Sequence, residues 1–255
     1  AGGIAGCEAV ARAAPDGYML LVADVGQLAI NPALYAKLPY DPVRDFAPIS
    51  LVAVTPLFIA AHNSVQASTL AELIHAAKAK PGSFTYGSSG TGSIHHLTME
   101  ALKAGAGIDL VHVPYKGAGQ SIPALVGGQV ALAPAALPAL ASHIKAGRLK
   151  LLAVNTQKRS AQAPEVPTVA EITGIEDFHY PSEIGFLAPA GTPRAIIEKL
   201  AVEVARALQN PDATRRLVAV GVDIVGSTPQ DYVANIQSGI ERYSRVVKAA
   251  GAKAD

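Results

Sequence analysis

The chain has 255 residues, half of them apolar and 16% charged, with one cysteine, no tryptophan and a formal charge of +1. That length holds one large α/β domain or two smaller ones. The even charge, with no Lys/Arg cluster, argues against a nucleic-acid partner; lone Cys7 excludes an intrachain disulfide, and no apolar run reaches the roughly 20 residues of a membrane-spanning helix. The chain opens at Ala1-Gly2-Gly3 with neither an initiator methionine nor a basic leader. We expect a processed or shortened start, so the lack of a signal sequence says little about location.

Ile4 to Ala14 reads as a small-residue helix closed by the turn Pro15-Asp16-Gly17. Tyr18 to Ala23 is a nearly continuous apolar run of the kind that fills a central strand. The loop Asp24-Val25-Gly26-Gln27 follows it, at the strand end where open sheets hold their ligands. Asn31 to Tyr35 reads as a helical turn, and Leu38–Pro42 with Asp45–Pro48 as a proline-stiffened connection. Ile49–Val54 and Leu57–Ala61 are strand candidates, and Thr69 to Glu72 is a capping box for a helix running to Pro81-Gly82.

Phe84–Tyr86 predicts a strand and Ile94–Ala104 a helix, with a glycine-rich loop between them. Asp109–Val113 is the next strand, ending in a second polar loop, Pro114 to Ser121. Ile122–Val126 is a short helix, Val130–Ala133 a strand, Pro138–Ala146 a helix and Leu149–Val154 a buried strand. Thr168 to Glu171 is another capping box, and Ile184–Leu187 a further strand. In the tail, Thr192 is expected to cap a helix with Pro193 in its first position. Asn210-Pro211 starts the next helix, Val222–Val225 is a last strand, and Thr228 caps a final helix. The alternation predicts α/β architecture with mostly parallel sheets in two lobes. Residues 1–62 with 184–255 form lobe one and 63–183 lobe two, with a ligand cleft between them as the default site.

The chain is organised around Tyr86-Gly-Ser-Ser-Gly-Thr-Gly-Ser-Ile-His-His96. Glycines and hydroxyl residues between a strand and a helix can turn backbone amides inward, and the helix start adds unpaired N–H groups and a positive dipole end. Such a loop holds a carboxylate or a phosphate. The same residues also read as an ordinary glycine-rich turn with Ser93 as an N-cap. No Walker lysine follows Ser93, and Ser88 and Ser89 do not sit in a G-x-S-x-G elbow. No dinucleotide fingerprint is formed either, because the only acidic partner is a lone Asp109. The seven histidines are scattered, and adjacent His95 and His96 point about 100° apart on a helix, so they form no chelating pair. Lys116 is either a ligand contact or an exposed lysine. The loops are rich in amides and hydroxyls and poor in acid–base machinery. That favours reversible binding of a small anion over catalysis, without metal or cofactor.

Several stretches in order carry a family resemblance: Ala14-Pro-Asp-Gly-Tyr18, Ile30-Asn-Pro-Ala-Leu-Tyr35, Leu38-Pro-Tyr-Asp-Pro42, Asp45-Phe-Ala-Pro48 and the Tyr86–His96 loop. Val113-Pro-Tyr-Lys-Gly117, Gly127-Gly-Gln129, Ala153-Val154 with Lys158-Arg159, Pro167-Thr-Val-Ala-Glu171 and Leu187-Ala-Pro-Ala-Gly-Thr-Pro193 continue it over essentially the whole chain. The sequence closely resembles the substrate-binding proteins of tripartite tricarboxylate transporters, the Bug family of bacterial periplasmic receptors. The resemblance implies a two-lobed type II periplasmic-binding-protein-like fold and a non-catalytic receptor that delivers a small carboxylate or amino-acid-like ligand to membrane permease components or a sensor. A monomer, neither membrane-embedded nor bound to nucleic acid, is implied as well.

Family contacts map onto Ser88, Ser89, Gly90, Thr91, Gly92, Ser93 and His96, onto Val25, Gly26 and Gln27, and onto the stretch before Leu187, which contains Glu183. Tyr115 and Lys116 complete the candidate set. Three departures stand out. Family members carry a further strand and glycine-rich loop ahead of the Ala1-Gly2-Gly3 stretch; Asp24 replaces part of a Ser/Thr run; and Ser182-Glu183-Ile184 stands where an aromatic is common. A cleft-facing Glu183 would favour a ligand with a positive or donor group. An enzyme acting on a phosphorylated or other anionic substrate in the same cleft, and a remnant without ligand function, are the alternatives.

Overall fold

The computed structural model describes residues 3–253. Ala1 and Gly2 of the glycine-rich start lie outside the described residues. The chain forms two units, one joining residues up to Val54 with those from Ser182 onward, the other running from Thr55 to Pro181.

The first unit holds α1 (Ile4–Ala11), β1 (Leu21–Asp24), a π-helical turn (Gly26–Ile30) running into α2 (Asn31–Leu34), and β2 (Phe46–Thr55). The second unit follows with β3 (Phe58–His62), α3 (Leu70–Ala79), β4 (Thr85–Ser88), α4 (Ile94–Ala106), β5 (Val111–Pro114) and α5 (Ala118–Val126). It closes with β6 (Leu132–Ala135), α6 (Leu137–Lys145), β7 (Leu149–Val154) and α7 (Val169–Thr173). The chain then returns to the first unit with β8 (Ser182–Pro189), α8 (Arg194–Leu208), α9 (Pro211–Ala219), β9 (Asp223–Ile224) and α10 (Pro229–Ala250).

The first unit's sheet has the order β1-β8-β2-β9, with β1 antiparallel to β8 and β2 antiparallel to β9. Its core gathers Cys7, Leu21, Leu28, Tyr40, Phe46, Leu187, Tyr232 and Ile236. The second sheet has the order β5-β4-β6-β3-β7. Parallel pairing holds from β5 through β4 to β6, whereas β3 runs antiparallel to both β6 and β7. Both sheets therefore carry antiparallel pairs, and the second is mixed rather than mostly parallel. Phe58, Leu125, Val130, Leu140, Leu149 and Val154 pack its core. Because β3 belongs to this sheet, the first crossing falls at Val54–Thr55, earlier than the apolar pattern of 49–61 indicates.

Other expectations are corrected. Among the described residues the run from Tyr18 fills an edge strand and not a central one: β1 pairs there with β8 alone, and Val22 is 62% exposed. Ala118–Ser121 is no loop but the first turn of α5, and Gln120 Oε1 accepts the Lys116 N–H at 3.1 Å just ahead of it. At α8 the N-cap is Pro193 itself, and the Thr192 hydroxyl instead donates to the Pro189 carbonyl at 2.8 Å. The capping box at Thr168 and Glu171 forms as read.

Candidate functional site

The Ser88–Ser93 loop leaves the C-terminal end of β4 and enters α4. Gly90 (φ 126°) and Gly92 (φ 75°) adopt backbone that a side chain would strain, which is why the loop needs glycine at both. Ser93 is the N-cap of α4, its Oγ accepting the His96 N–H at 3.3 Å.

The amides divide into two sets. Gly90 N–H donates to Ser88 Oγ (3.1 Å), Gly92 N–H to His96 Nδ1 (3.1 Å) and Ser93 N–H to the Gly90 carbonyl (3.1 Å). These three build the loop itself. Among the described residues, no protein acceptor takes the N–H of Ser89, Thr91, Ile94 or His95. The anion-binding capacity expected of the loop therefore resides in this second set, at the positive end of a 13-residue helix.

Three histidines brace the loop from beneath. His95 Nδ1 lies 2.7 Å from Ser89 Oγ. Buried His96 takes the Gly92 amide, and His112, from β5, sets Nε2 2.7 Å from Ser88 Oγ. The rings of His96 and His112 stack with centroids 4.1 Å apart, and Tyr86 stacks on His112 at 4.9 Å. Burial pushes His95 and His112 down to about 4, with repulsion from His96 adding to the effect at His112; burial also lowers His96. The brace is thus uncharged near neutral pH. Tyr86 Oη donates to Glu100 Oε1, which also accepts Lys103 Nζ at 2.7 Å. His95 and His96 are adjacent on α4 and point in different directions. Both reach it, because the loop wraps over the first turn of α4.

Tyr115 joins this site: its N–H donates to the Ser88 carbonyl at 3.1 Å, and its own carbonyl lies beside Gly90. Lys116 is exposed, and its ammonium makes no ion pair among the described residues. His112, Tyr86, Glu100 and Lys103 were not singled out from sequence. His112 is the second residue of β5 and reaches the loop only through the parallel pairing of β5 with β4, for which the sequence carries no local signal.

The other candidates belong to the first unit. Val25, Gly26 and Gln27 form no open loop but enter the π-helical turn, and Val25 is buried. Asp24 closes that turn: its carboxylate accepts the Gly26 N–H at 2.6 Å and its N–H donates to Gln27 Oε1 at 2.8 Å. A side chain at position 26 would strike Asp24 Oδ1 at 2.7 Å. Burial raises the Asp24 carboxyl above its usual range despite these bonds. Glu183 is only 5% exposed and accepts Asn235 Nδ2 at 2.9 Å. It borders a cavity of about 10 Å³ with Val25, Leu28, Ala29 and Tyr232.

Among the described residues, no group of three or more His, Cys, Asp or Glu side chains is placed to hold a metal ion. No helix of the described residues is long and apolar enough to cross a membrane.

Two α/β units linked by two crossings, with an amide-rich loop at a helix start, are the architecture of a two-lobed periplasmic solute-binding protein. Among solved structures, one described as a periplasmic transporter is 37% identical, covering 100% of this chain and 85% of its own, with TM-score 0.81. R. palustris Rpa4515 with adipate is 33% identical (98% and 84% covered, TM-score 0.81). MatC from Rhodopseudomonas palustris with bound malate is 30% identical (97% and 85% covered, TM-score 0.76). Residues 1–252 match the tripartite tricarboxylate transporter family receptor, and the chain belongs to that family. It is accordingly a periplasmic solute-binding receptor and not an enzyme.

Proposed function

We propose that the protein captures a small carboxylate on the Ser88–Ser93 loop and delivers it to the membrane components of a tripartite tricarboxylate-type carrier, acting as a monomer. The observation that carries this reading is the set of unengaged N–H groups at Ser89, Thr91, Ile94 and His95, on a loop that also carries the Ser89 and Thr91 hydroxyls. Amides at a helix start satisfy a carboxylate at low desolvation cost and without an arginine. Adipate and malate, bound by two relatives, are both dicarboxylates, which supports the same ligand class here. Val25, Gly26, Gln27 and Glu183 remain proposed ligand residues of the first unit, Val25 to Gln27 through backbone groups. Tyr115 shapes the loop from the side.

Native mass spectrometry of the purified protein, followed by denaturation and identification of what is released, tests the ligand class. A released carboxylate supports the proposal. A released phosphate ester or nucleotide, or no binding in calorimetry across a panel of mono- and dicarboxylates, overturns it. Sedimentation velocity tests the monomer, and co-purification with the permease subunits tests delivery.

A further inference from the structure

We infer that His112 and His96 act together as positioning residues that preset the Ser88–Ser93 loop, and that the preset form requires the His96 imidazole to be neutral. The inference rests on reading that loop as the ligand site, and deepens it. His112 lies on a different strand from the loop and is assigned no role by the family pattern read above.

The hydrogen-bond inventory fixes the protonation of His96. A serine hydroxyl donates once and accepts twice. Ser88 Oγ donates to the Gly90 carbonyl at 3.2 Å and accepts the Gly90 N–H at 3.1 Å. His112 Nε2 lies 2.7 Å from the same hydroxyl and bonds to it in either neutral tautomer, so Ser88 is held within the frame of the loop. His96 Nδ1 accepts the Gly92 N–H, so it carries no proton; the neutral ring bears its hydrogen on Nε2, 3.9 Å from Glu100 Oε1. The His96 tautomer follows from a backbone donor whose role is unambiguous.

The surroundings oppose charging either ring. The two imidazoles are stacked at 4.1 Å, and Tyr86 from β4 covers His112. On α4, Glu100 is the one carboxylate beside His96, and it already accepts Tyr86 Oη and Lys103 Nζ. The Lys103 ammonium lies over the Tyr86 ring and disfavours a second cation. β6, also packed on α4, presents only Leu132, Ala133, Pro134 and Ala135. Burial lowers both histidines; repulsion from His96 adds to this at His112 and the Lys103 charge adds at both, against the opposing pull of Glu100. Protonation at His96 Nδ1 would set N–H against the Gly92 N–H, breaking the bond that holds the second half of the loop. Acid should therefore release the loop through His96.

The test uses protein labelled with ¹⁵N at glycine and histidine, without ligand, titrated from about pH 7.5 to about pH 4 by NMR. The expected result is an Nε2–H tautomer for His96, and a Gly92 amide resonance that moves with the His96 midpoint, below its ordinary value. His96→Asn places an amide oxygen where Nδ1 stood; it should keep the loop's resonances and abolish the acid transition at Gly92. His112→Gln retains a donor toward Ser88 and should raise the His96 midpoint by removing the stacked neighbour. An Nδ1–H tautomer at His96, or a Gly92 amide that stays still while His96 titrates, overturns the inference. Adipate and malate then serve as probes. Affinity should fall by roughly fivefold or more over the His96 transition in the wild type and by less than about twofold in His96→Asn. If neither probe binds at any pH while the coupled titration is observed, the preset geometry stands and the dicarboxylate reading is what fails.

Discussion

Asn155 and Tyr180 hold each other from both ends: the Tyr180 N–H donates to the Asn155 carbonyl at 3.0 Å, and Asn155 Nδ2 donates back to the Tyr180 carbonyl. Asn155 does the same for the opposite end of the unit, accepting the Leu57 N–H on Oδ1 at 2.9 Å and donating its own N–H to the Leu57 carbonyl at 3.0 Å. A single, fully buried side chain thus pins the segments where the chain enters and leaves the second unit. Asn155→Ala leaves the buried Leu57 N–H without its side-chain acceptor and takes one donor from the Tyr180 carbonyl, which keeps the Thr98 hydroxyl at 3.3 Å. It should cost about 2–4 kcal/mol, read as a lower midpoint in urea. Asn155→Asp, which keeps the acceptor and loses the donor, should be less stable than wild type as well.

Stability should fall with acid in a defined window. His95 and His112 sit near 4 in the folded protein against an ordinary value near 6.5. A base whose folded value is depressed binds more protons when unfolded, so its contribution is complete above about pH 6.5 and is lost progressively down to about pH 4. Allowing for partial exposure, each contributes on the order of 2 kcal/mol. Urea denaturation at several pH values checks this, and His112→Gln should flatten the slope.

Gly185 and Tyr232 form a tight pair beneath α10. A methyl group on residue 185 would meet Tyr232 Oη at 2.4 Å and the Ser50 carbonyl at 2.6 Å, so Gly185→Ala should destabilise by roughly 2–4 kcal/mol. Tyr232 is 1% exposed and its hydroxyl has no acceptor among the described residues. Tyr232→Phe should therefore leave the melting temperature unchanged or raise it, by up to about 1 kcal/mol in stability.

The Glu183–Asn235 bond separates charge from structure. Asn235→Leu removes a donor from a buried carboxylate and should cost about 1–3 kcal/mol. Glu183→Gln keeps a hydrogen-bonding oxygen and should fold normally. Calorimetry with this variant measures whether the negative charge discriminates against dianionic ligands: affinity for malate should rise.

Local chemistry was legible where the signal spans a few residues. Ser93 and Thr228 cap their helices, the Thr168–Glu171 box closes on itself, and β7 occupies Leu149–Val154, all as the pattern reads. The glycine loop was legible for the same reason. Which of its amides stay open was not, since that depends on His96 and Ser88 taking two of them. The His112 brace was hidden because it needs the parallel register that sets Tyr86 opposite His112, a contact no local pattern encodes. Asp24 to Gln27 read as a loop because Gly26 marks a turn; the carboxylate that turns the segment into a helix start acts through a bond two residues long. The edge position of β1 was invisible for a further reason, since an apolar run reports burial preference and not neighbours.

The strand order of the first sheet also sets an order of assembly. β8 lies between β1 and β2, so those two strands have no ladder with each other and wait for a partner made more than a hundred residues later. The stretch Thr55–Pro181, which is uninterrupted, emerges complete while the first unit is still in two pieces. During synthesis the stretch Thr55–Pro181 can finish folding before β8 is made and takes its place between β1 and β2.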